Sequence, residues 1–376
     1  MRWPAARTTS SPNLSAPRNS LPESTRSSTP TDDGLWVVIL AGGIGARFWP
    51  ASTRERPKTL LPLASEQPLI ADTVGRARAL VPDDRLCILA GEHLAGPFRS
   101  VLGDLPDAAY WIEPDARGTC PVLAWASWEI HRRNPEAVMV SLHADHRVHS
   151  LDGFQETIQA AAEIARTHDV LVCVGAVPDR VETGFGHIKR GEALGTSGEI
   201  VAHRVQAFHE KPDAETAQRY VSEGHLWNTG MFVWKVSTFL SELAEHAPDV
   251  SDCLELLKDG VEAFFEAVPV SVVDTAVMER SQRVATVAAF FAWDDVGTWE
   301  ALSRSKPADS DGNVLVGDAI TVDGTGNIVF ADQGDVVLFG VDDLVVVRTS
   351  DATLVMPRER AADLKTLLAE LEGDEE

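Results

Sequence analysis

The sequence predicts an α/β protein, a largely parallel sheet with helices on both faces, followed by a small all-β segment. Three observations lead there. From Leu35 to about Ser305, short runs rich in Val, Ile and Leu alternate with longer stretches of helical periodicity, the pattern of strands joined by covering helices. The first run, Leu35–Leu40, empties into Ala41-Gly42-Gly43-Ile44-Gly45, where three glycines free the backbone and leave no side chains in a ligand's way. After Pro307 the texture changes to short apolar runs separated by Gly, Asp and Asn, which reads as close-set strands.

Taken in order, residues 1–33 stand apart. They are rich in Ser, Thr, Pro and Arg and nearly lack aliphatic residues, so they cannot sustain a core and are predicted to be a disordered tail. They also lack the apolar region of a secretory signal. The main domain is expected over residues 34–306. Its strands are predicted at Leu35–Leu40, Leu86–Ala90, Ala109–Ile112, Ala137–Leu142 and Val170–Val174, with helices at Val122–Arg132 and Phe154–Arg166. Ligands of such folds bind beyond the carboxyl ends of the strands, where Gly42-Gly43 and Ala144-Asp145 both fall. Residues 307–376 make the second domain, with strands between Asn313 and Met356. A helix from Arg358 to Leu371 follows, with Leu364, Leu367, Leu368 and Leu371 on one face. No chemistry is evident in this part, whose expected role is packing or subunit contact.

The chain has 376 residues with 44% apolar content, enough for a sizeable core. Its 33 basic and 57 acidic residues give a formal net charge of −24, which argues against nonspecific binding to nucleic acid or an anionic membrane. An anionic substrate must then be held by local positive charge, and Arg47, Arg54, Arg56 and Lys58, opposed only by Glu55, supply it. The four cysteines (Cys87, Cys120, Cys173, Cys253) form no C-x-x-C pair and three sit in apolar stretches, which suggests reduced thiols and a cytoplasmic protein. No apolar run approaches the ~20 residues of a membrane span.

Backbone N–H groups at the glycine turn can cradle phosphate oxygens while Arg47 and Lys58 neutralise their charge, so a polyphosphate is expected there. The turn is not a Walker A loop, which ends in Gly-Lys-Ser/Thr, nor a dinucleotide fingerprint, because Phe48 stands at the third glycine position. Asp145 follows an apolar strand and Asp295 lies in a glycine-containing turn; two such carboxylates suit Mg²⁺, which takes few carboxylates plus phosphate oxygens. Asp294 competes with Asp295 for that role. His143, His146 and His149 raise zinc as an option, but no matching His/Cys set occurs elsewhere. Lys211, at the end of a strand-like run, can reach a substrate phosphate, and Glu210 can accept from hydroxyls; the alternative for Glu-Lys-Pro is a solvated turn.

The whole string from Gly42 to Leu63, Gly-Gly-x-Gly-x-Arg, then Pro57-Lys58 and Leu61-Pro62-Leu63, resembles the signature of sugar-nucleotide pyrophosphorylases. Further blocks narrow the resemblance. They are Glu113-Pro114-Asp115-Ala116-Arg117-Gly118-Thr119-Cys120-Pro121, His143-Ala144-Asp145-His146, and Glu182-Thr183-Gly184-Phe185-Gly186. Phe208-His209-Glu210-Lys211-Pro212, Trp227-Asn228-Thr229-Gly230, Ser271-Val272-Val273-Asp274 and Trp293-Asp294-Asp295-Val296-Gly297 follow. Together they look like the bacterial mannose-1-phosphate guanylyltransferases, over nearly all of the chain after the tail.

That resemblance implies a GT-A-like nucleotidyltransferase domain, a Rossmann-like mixed sheet flanked by helices, with a small β-helix-like C-terminal domain. It implies the joining of GTP and α-D-mannose 1-phosphate with release of pyrophosphate, with Mg²⁺ as cofactor. By position, Arg47 and Lys58 become catalytic. Leu40, Ala41, Gly42, Gly43, Gly45, Arg117 and Thr119 become nucleotide-binding. Gly186, Glu210, Lys211 and Asn228 bind the sugar phosphate, and Asp145 and Asp295 hold the metal. Three blocks depart from the family pattern: Gly118-Thr119-Cys120-Pro121 for Asn-Thr-Ala-Pro, Ala144 for Ser, and Phe185 for Tyr. The chain ends without the cupin domain of bifunctional relatives, so isomerase activity is not expected. Partners are expected to be small molecules, with a possible homodimer and neither nucleic acid nor membrane. A different sugar 1-phosphate of heptose or glucose type stays open, as does a non-catalytic sugar-nucleotide sensor, although a sensor has no need of Arg47, Lys58, Asp145 and Asp295 together.

Overall fold

The computed structural model describes residues 34–373; the tail expected over 1–33 lies outside the described residues. The first eleven strands are β1 (Leu35–Leu40), β2 (Leu86–Gly91), β3 (Tyr110–Glu113), β4 (Val138–His143), β5 (Arg147–His149), β6 (Leu171–Ala176), β7 (His187–Ser197), β8 (Ile200–His209), β9 (Leu226–Lys235), β10 (Val284–Ala288) and β11 (Ala292–Asp294). Four more, β12 (Val314–Val322), β13 (Ile328–Phe339), β14 (Leu344–Arg348) and β15 (Thr353–Pro357), precede the last helix, Leu364–Gly373. The five strands predicted from sequence lie within two residues of β1, β2, β3, β4 and β6.

Nine strands form one sheet in the order β3-β2-β1-β4-β9-β6-β10-β8-β7. The expectation of a largely parallel sheet holds for one half only. β3, β2, β1 and β4 run parallel, whereas β9 enters antiparallel between β4 and β6, and β8 runs antiparallel to both β10 and β7. The physical reason is connection length: β7 and β8 are joined by Gly198-Glu199 alone, a hairpin link that permits no parallel crossover. A mixed α/β sheet flanked by helices is therefore the architecture.

β1 is buried on both faces, which is why it reads as an unbroken apolar run. Val37 and Ile39 enter one core with Phe154, Ile158 and Ala161 of the helix Leu151–His168. Trp36 and Val38 enter the other with Leu123, Ala126 and Ile130 of the helix Thr119–Arg133. Among the described residues no helix is long and apolar enough to cross a membrane.

The C-terminal strands form a four-stranded sheet, β12-β13-β14-β15, in which β12, β13 and β14 stack in parallel so that Val314, Ile328 and Val345 share one rung. That rung faces a third core, shared with Phe48, Leu61 and Leu63 of the glycine-loop segment and with Val296 and Trp299. The last helix begins at Leu364, not at Arg358 as expected. Residues Arg358–Asp363 form a 3-10 turn, and the Arg358 side chain is drawn away to Glu300 and the Gly326 carbonyl.

Candidate active site

The glycine turn leaves β1 between two neighbours, with Ala41 N–H bonded to the Leu89 carbonyl and Ala144 N–H to that of Leu40. It then doubles back on itself. Ser52 Oγ donates to the Gly45 carbonyl at 2.7 Å, and Lys58 N–H to that of Ile44 at 3.0 Å. Gly45 has a φ of 71°, and a Cβ there would lie 2.3 Å from Lys58 Cβ, so the fold-back itself requires glycine. Phe48, which disqualifies the dinucleotide motif, is buried edge-on against Trp299 and anchors the loop. Arg47 is exposed at the mouth of the cleft and makes no ion pair among the described residues.

Lys58 is 5% exposed, and its Nζ donates to Asp145 Oδ2 at 2.8 Å and to the Asp295 carbonyl at 2.7 Å. One cation thus ties the end of β4 to the turn after β11. Burial pushes the Asp145 carboxyl up, but Lys58, then His146 and His143, outweigh it and hold the group well below the usual carboxylate range. The opposite holds at Asp295, where burial dominates. The adjacent Asp294, Asp145 and Glu182 add to it, Lys58 offsets only part, and the carboxyl rises to about 6. Among the described residues its carboxylate has one donor, the Gly297 N–H, at 3.1 Å from Oδ1.

Asp294 is a different kind of group. Its oxygens are engaged by Arg304 in a two-point pair and by Val296 N–H at 2.8 Å. Burial raises its carboxyl, and the Arg304 bonds more than reverse the effect. Val296, directly after the two aspartates, has a φ of 49°, a conformation a β-branched residue adopts only when its surroundings impose it. The bent turn directs one aspartate into the protein and leaves the next open to the cleft.

The histidines do not complete a zinc site. His143, Asp145 and His146 cluster closely enough to hold an ion, but Trp293 Nε1–H donates to His146 Nδ1 at 3.2 Å. In the neutral ring the proton then sits on Nε2, which lies 4.0 Å from Asp145 Oδ1 and faces it as a donor. Burial, then His143, keeps that ring neutral. His149 is exposed on β5.

Two cavities meet this centre. The smaller, about 290 Å³, is lined by Leu40, Ala41, Gly42, Gly43, Thr119 and Asp145, so most of the expected nucleotide residues gather there. Gly45 and Arg117 do not line it. Gly45 serves the fold-back, and the Arg117 side chain pairs with Asp115. Gly118 has a φ of 84°, and a Cβ on it would come within 2.3 Å of the Ser271 carbonyl oxygen. The departure from Asn at this position thus accompanies a close approach of two backbones. The same cavity holds Glu113, at the end of β3, which sequence reasoning does not single out. Burial lifts its carboxyl to about 7, and it makes no hydrogen bond or ion pair among the described residues. The available signal is its position, an acid directly after an apolar strand, as with Asp145.

The larger cavity, about 1230 Å³, is bordered by Arg47, Arg180, Lys211 and Asp295 and, from the C-terminal domain, by Asp342 and Arg358. The domain expected to carry no chemistry therefore forms one wall of the cleft. Gly186, Glu210 and Asn228 meet beside it: a Cβ on Gly186 would lie 2.7 Å from Glu210 Oε2 and 3.3 Å from Asn228 Cβ. Asn228 Nδ2 donates to Asp274 Oδ1 at 2.8 Å, which adds Asp274 to the group. Lys211 pairs with Glu210 at the cavity's edge and has a φ of 44°. Arg180, also missed from sequence, stacks over Trp227 at 4.9 Å. Phe185 is packed edge-on between Trp227 and Trp293.

Residues 36–312 match the Nucleotidyl transferase family, and residues 317–371 match the MannoseP isomerase/GMP-like beta-helix domain. The chain is 35% identical over 356 residues to the Mannose-1-phosphate guanylyltransferase of Escherichia coli (strain K12), which covers 90% of this chain and 74% of that protein. It is 33% identical over 354 residues to the Alginate biosynthesis protein AlgA of Pseudomonas aeruginosa, covering 89% and 72%. Among solved structures, a mannose-1-phosphate geranyltransferase from Thermus thermophilus superposes with a TM-score of 0.82 at 31% identity, over 90% of this chain and 99% of that one.

Proposed function

The chain belongs to the nucleotidyl transferase family, in the branch of the mannose-1-phosphate guanylyltransferases, and from that premise we propose that it makes GDP-mannose and pyrophosphate from GTP and α-D-mannose 1-phosphate. The observation that carries the reading is the pair of cavities joined at Lys58, Asp145 and Asp295, one beneath the glycine turn and one beside Lys211. Two anionic substrates need adjoining seats with their reacting phosphates at a shared centre.

The donor set at that centre fits Mg²⁺. It offers hard carboxylate oxygens from Asp145 and Asp295, and the raised Asp295 carboxyl is an acid short of positive charge. Bound there, Mg²⁺ supplies a Lewis acid and a template for phosphate oxygens. In the transfer itself, an oxygen of the sugar phosphate attacks the α-phosphorus of GTP, and the bond to the β-phosphate bridging oxygen breaks. Both reactants are anions, so alignment and charge neutralisation matter more than a proton-transfer base. Leu40–Gly43 and Thr119 seat the nucleoside end. Arg47, unpaired among the described residues, and Lys58 oppose the charge of the departing pyrophosphate. Lys211 steadies the sugar phosphate, and Gly186, Glu210 and Asn228 meet the sugar. Glu113 suits guanine, whose N1–H and N2–H₂ groups form a double donor that a buried carboxylate can accept.

Pyrophosphate release over a matrix of nucleoside triphosphates and sugar 1-phosphates tests the proposal. GTP with mannose 1-phosphate should be the fastest pair, with turnover abolished by a chelator and restored by Mg²⁺. A different fastest pair would reassign the substrates.

A further inference from the structure

Arg56 lies within the signature segment, two residues before Lys58, and by sequence its charge is expected to serve the phosphates. Its side chain instead points to the C-terminal domain. Nη1 and Nη2 donate to the two carboxylate oxygens of Asp332, in the middle of β13, at 2.6 and 2.9 Å. A two-point guanidinium–carboxylate fork fixes orientation as well as distance. The pair is partly exposed, 40% and 20% at the side chains, so its share of global stability is small. What it holds is local. Pro57 stiffens the link from Arg56 to Lys58, and Lys58 N–H is already pinned to Ile44.

The same strand reaches the metal-side turn. Phe330, two residues before Asp332, packs at a tilt against Trp299, with ring centroids 5.2 Å apart, and Trp299 in turn meets Phe48 of the glycine loop. Trp299 lies four residues beyond Asp295. β13 therefore touches the segment that carries Lys58, through a fork, and the turn that carries Asp295, through an aromatic wedge. Around Lys58 the chain holds only two short 3-10 turns, and Asp295 sits in a turn after β11, so the pose of each depends on such contacts.

We propose that Asp332 is a positioning residue for the transfer reaction, acting through Arg56 to set the pose of the Lys58 segment against Asp145 and Asp295. The proposal rests on the function proposed above. Misplacing a catalytic group by ~1 Å can cost up to ~10²-fold in rate. A partial loosening in Asp332→Asn or Arg56→Gln should therefore lower kcat about tenfold. KM for the sugar phosphate should stay within about twofold, because Lys211 and Asn228 are untouched. The thermal midpoint should move by no more than about 2 °C, as for a partly exposed pair.

The test is steady-state kinetics and thermal melting of the two single variants, the double variant and the exchange Arg56→Asp/Asp332→Arg. Support requires that the double variant be no slower than either single one and that the exchange recover at least half of the lost kcat. Singles with unchanged kcat would overturn the proposal. So would kcat and melting temperature falling together with no recovery on exchange, since that marks ordinary structural damage. Each variant is compared with the unaltered chain on its own fastest substrate pair. A fastest pair other than GTP with mannose 1-phosphate then refutes the function reading while the ratios still judge Asp332. A chain inert on every pair would overturn both.

Discussion

The two ends of the cleft are built by different means. At the proposed nucleotide end, β1 delivers residues 40–43 as one continuous turn, and the ends of the parallel strands β3 and β4 add Glu113 and Asp145 beside the start of a helix at Thr119. At the proposed sugar end, Gly186, Glu210, Asn228 and Asp274 come from four separate stretches and meet only where β7, β8 and β9 run antiparallel. The continuous turn leaves a spacing that can be read from the chain. Assembly from distant stretches leaves none. Lys58 is where the two schemes join, since it reaches both aspartates.

The largest effects should fall on that junction. Asp145→Asn and Asp295→Asn should each lower kcat by at least ~10²-fold, the order seen when a main electrostatic stabiliser is lost. Near-normal turnover of both at saturating Mg²⁺ would remove the junction from the mechanism. Asp294→Asn should behave differently, because it leaves Arg304 without its partner inside the protein. Its signature is a lowered melting temperature with turnover less affected. The Asp294 carboxyl is depressed below 3.8, so its contribution is present above that pH and is lost as pH falls through the lower folded-state value.

Smaller and one-sided effects are expected at the sugar end. Lys211→Ala and Asp274→Asn should raise KM for the sugar phosphate about tenfold and leave KM for GTP nearly unchanged, the pattern of lost ground-state binding. Equal changes for both substrates, in initial-rate measurements, would erase the division between the ends.

The mildest probe is pH. Asp295 stands at about 6 and Glu113 at about 7, both raised by burial, and each is charged only above its value. In the proposed reaction a cation binds at the first and guanine donors at the second, and both favour the charged forms. Activity with GTP should therefore climb between about pH 5.5 and 8, approaching tenfold per pH unit where one proton must leave. Added Mg²⁺ should recover part of the loss on the Asp295 side, because it competes with that proton. A flat profile would mean that neither carboxylate needs its charge.

How much of this is readable from sequence follows from the same contrast. Strands buried on both faces, such as β1 and β4, announce themselves as apolar runs, and Gly42, Gly43, Lys58 and Asp145 can be tied to chemistry by position alone. β7 and β8 are partly exposed and interspersed with charges, so their antiparallel pairing is not apparent. Gly186 and Asn228 are identifiable only through resemblance, because a turn glycine and a turn asparagine look the same anywhere. Arg56 is misleading: four basic residues in one segment suggest a single anion site, but its side chain serves the C-terminal domain. Which of two adjacent aspartates is open, Asp294 or Asp295, depends on Arg304 ten residues away and on a left-handed Val296. Neither is a feature of local sequence.

In the proposed reaction the pocket under the glycine turn selects guanine, and Glu113 reads it. The most direct measurement is kcat/KM for GTP, ATP, UTP and dTTP with mannose 1-phosphate, for the unaltered chain and for Glu113→Gln. Sites that hydrogen-bond a substrate edge can discriminate by up to ~10⁴-fold. GTP should lead clearly in the unaltered chain, and Glu113→Gln should shrink the lead by at least ~10-fold without changing KM for mannose 1-phosphate. UTP or dTTP leading in the unaltered chain, or a GTP preference untouched by Glu113→Gln, would refute guanine selection through Glu113.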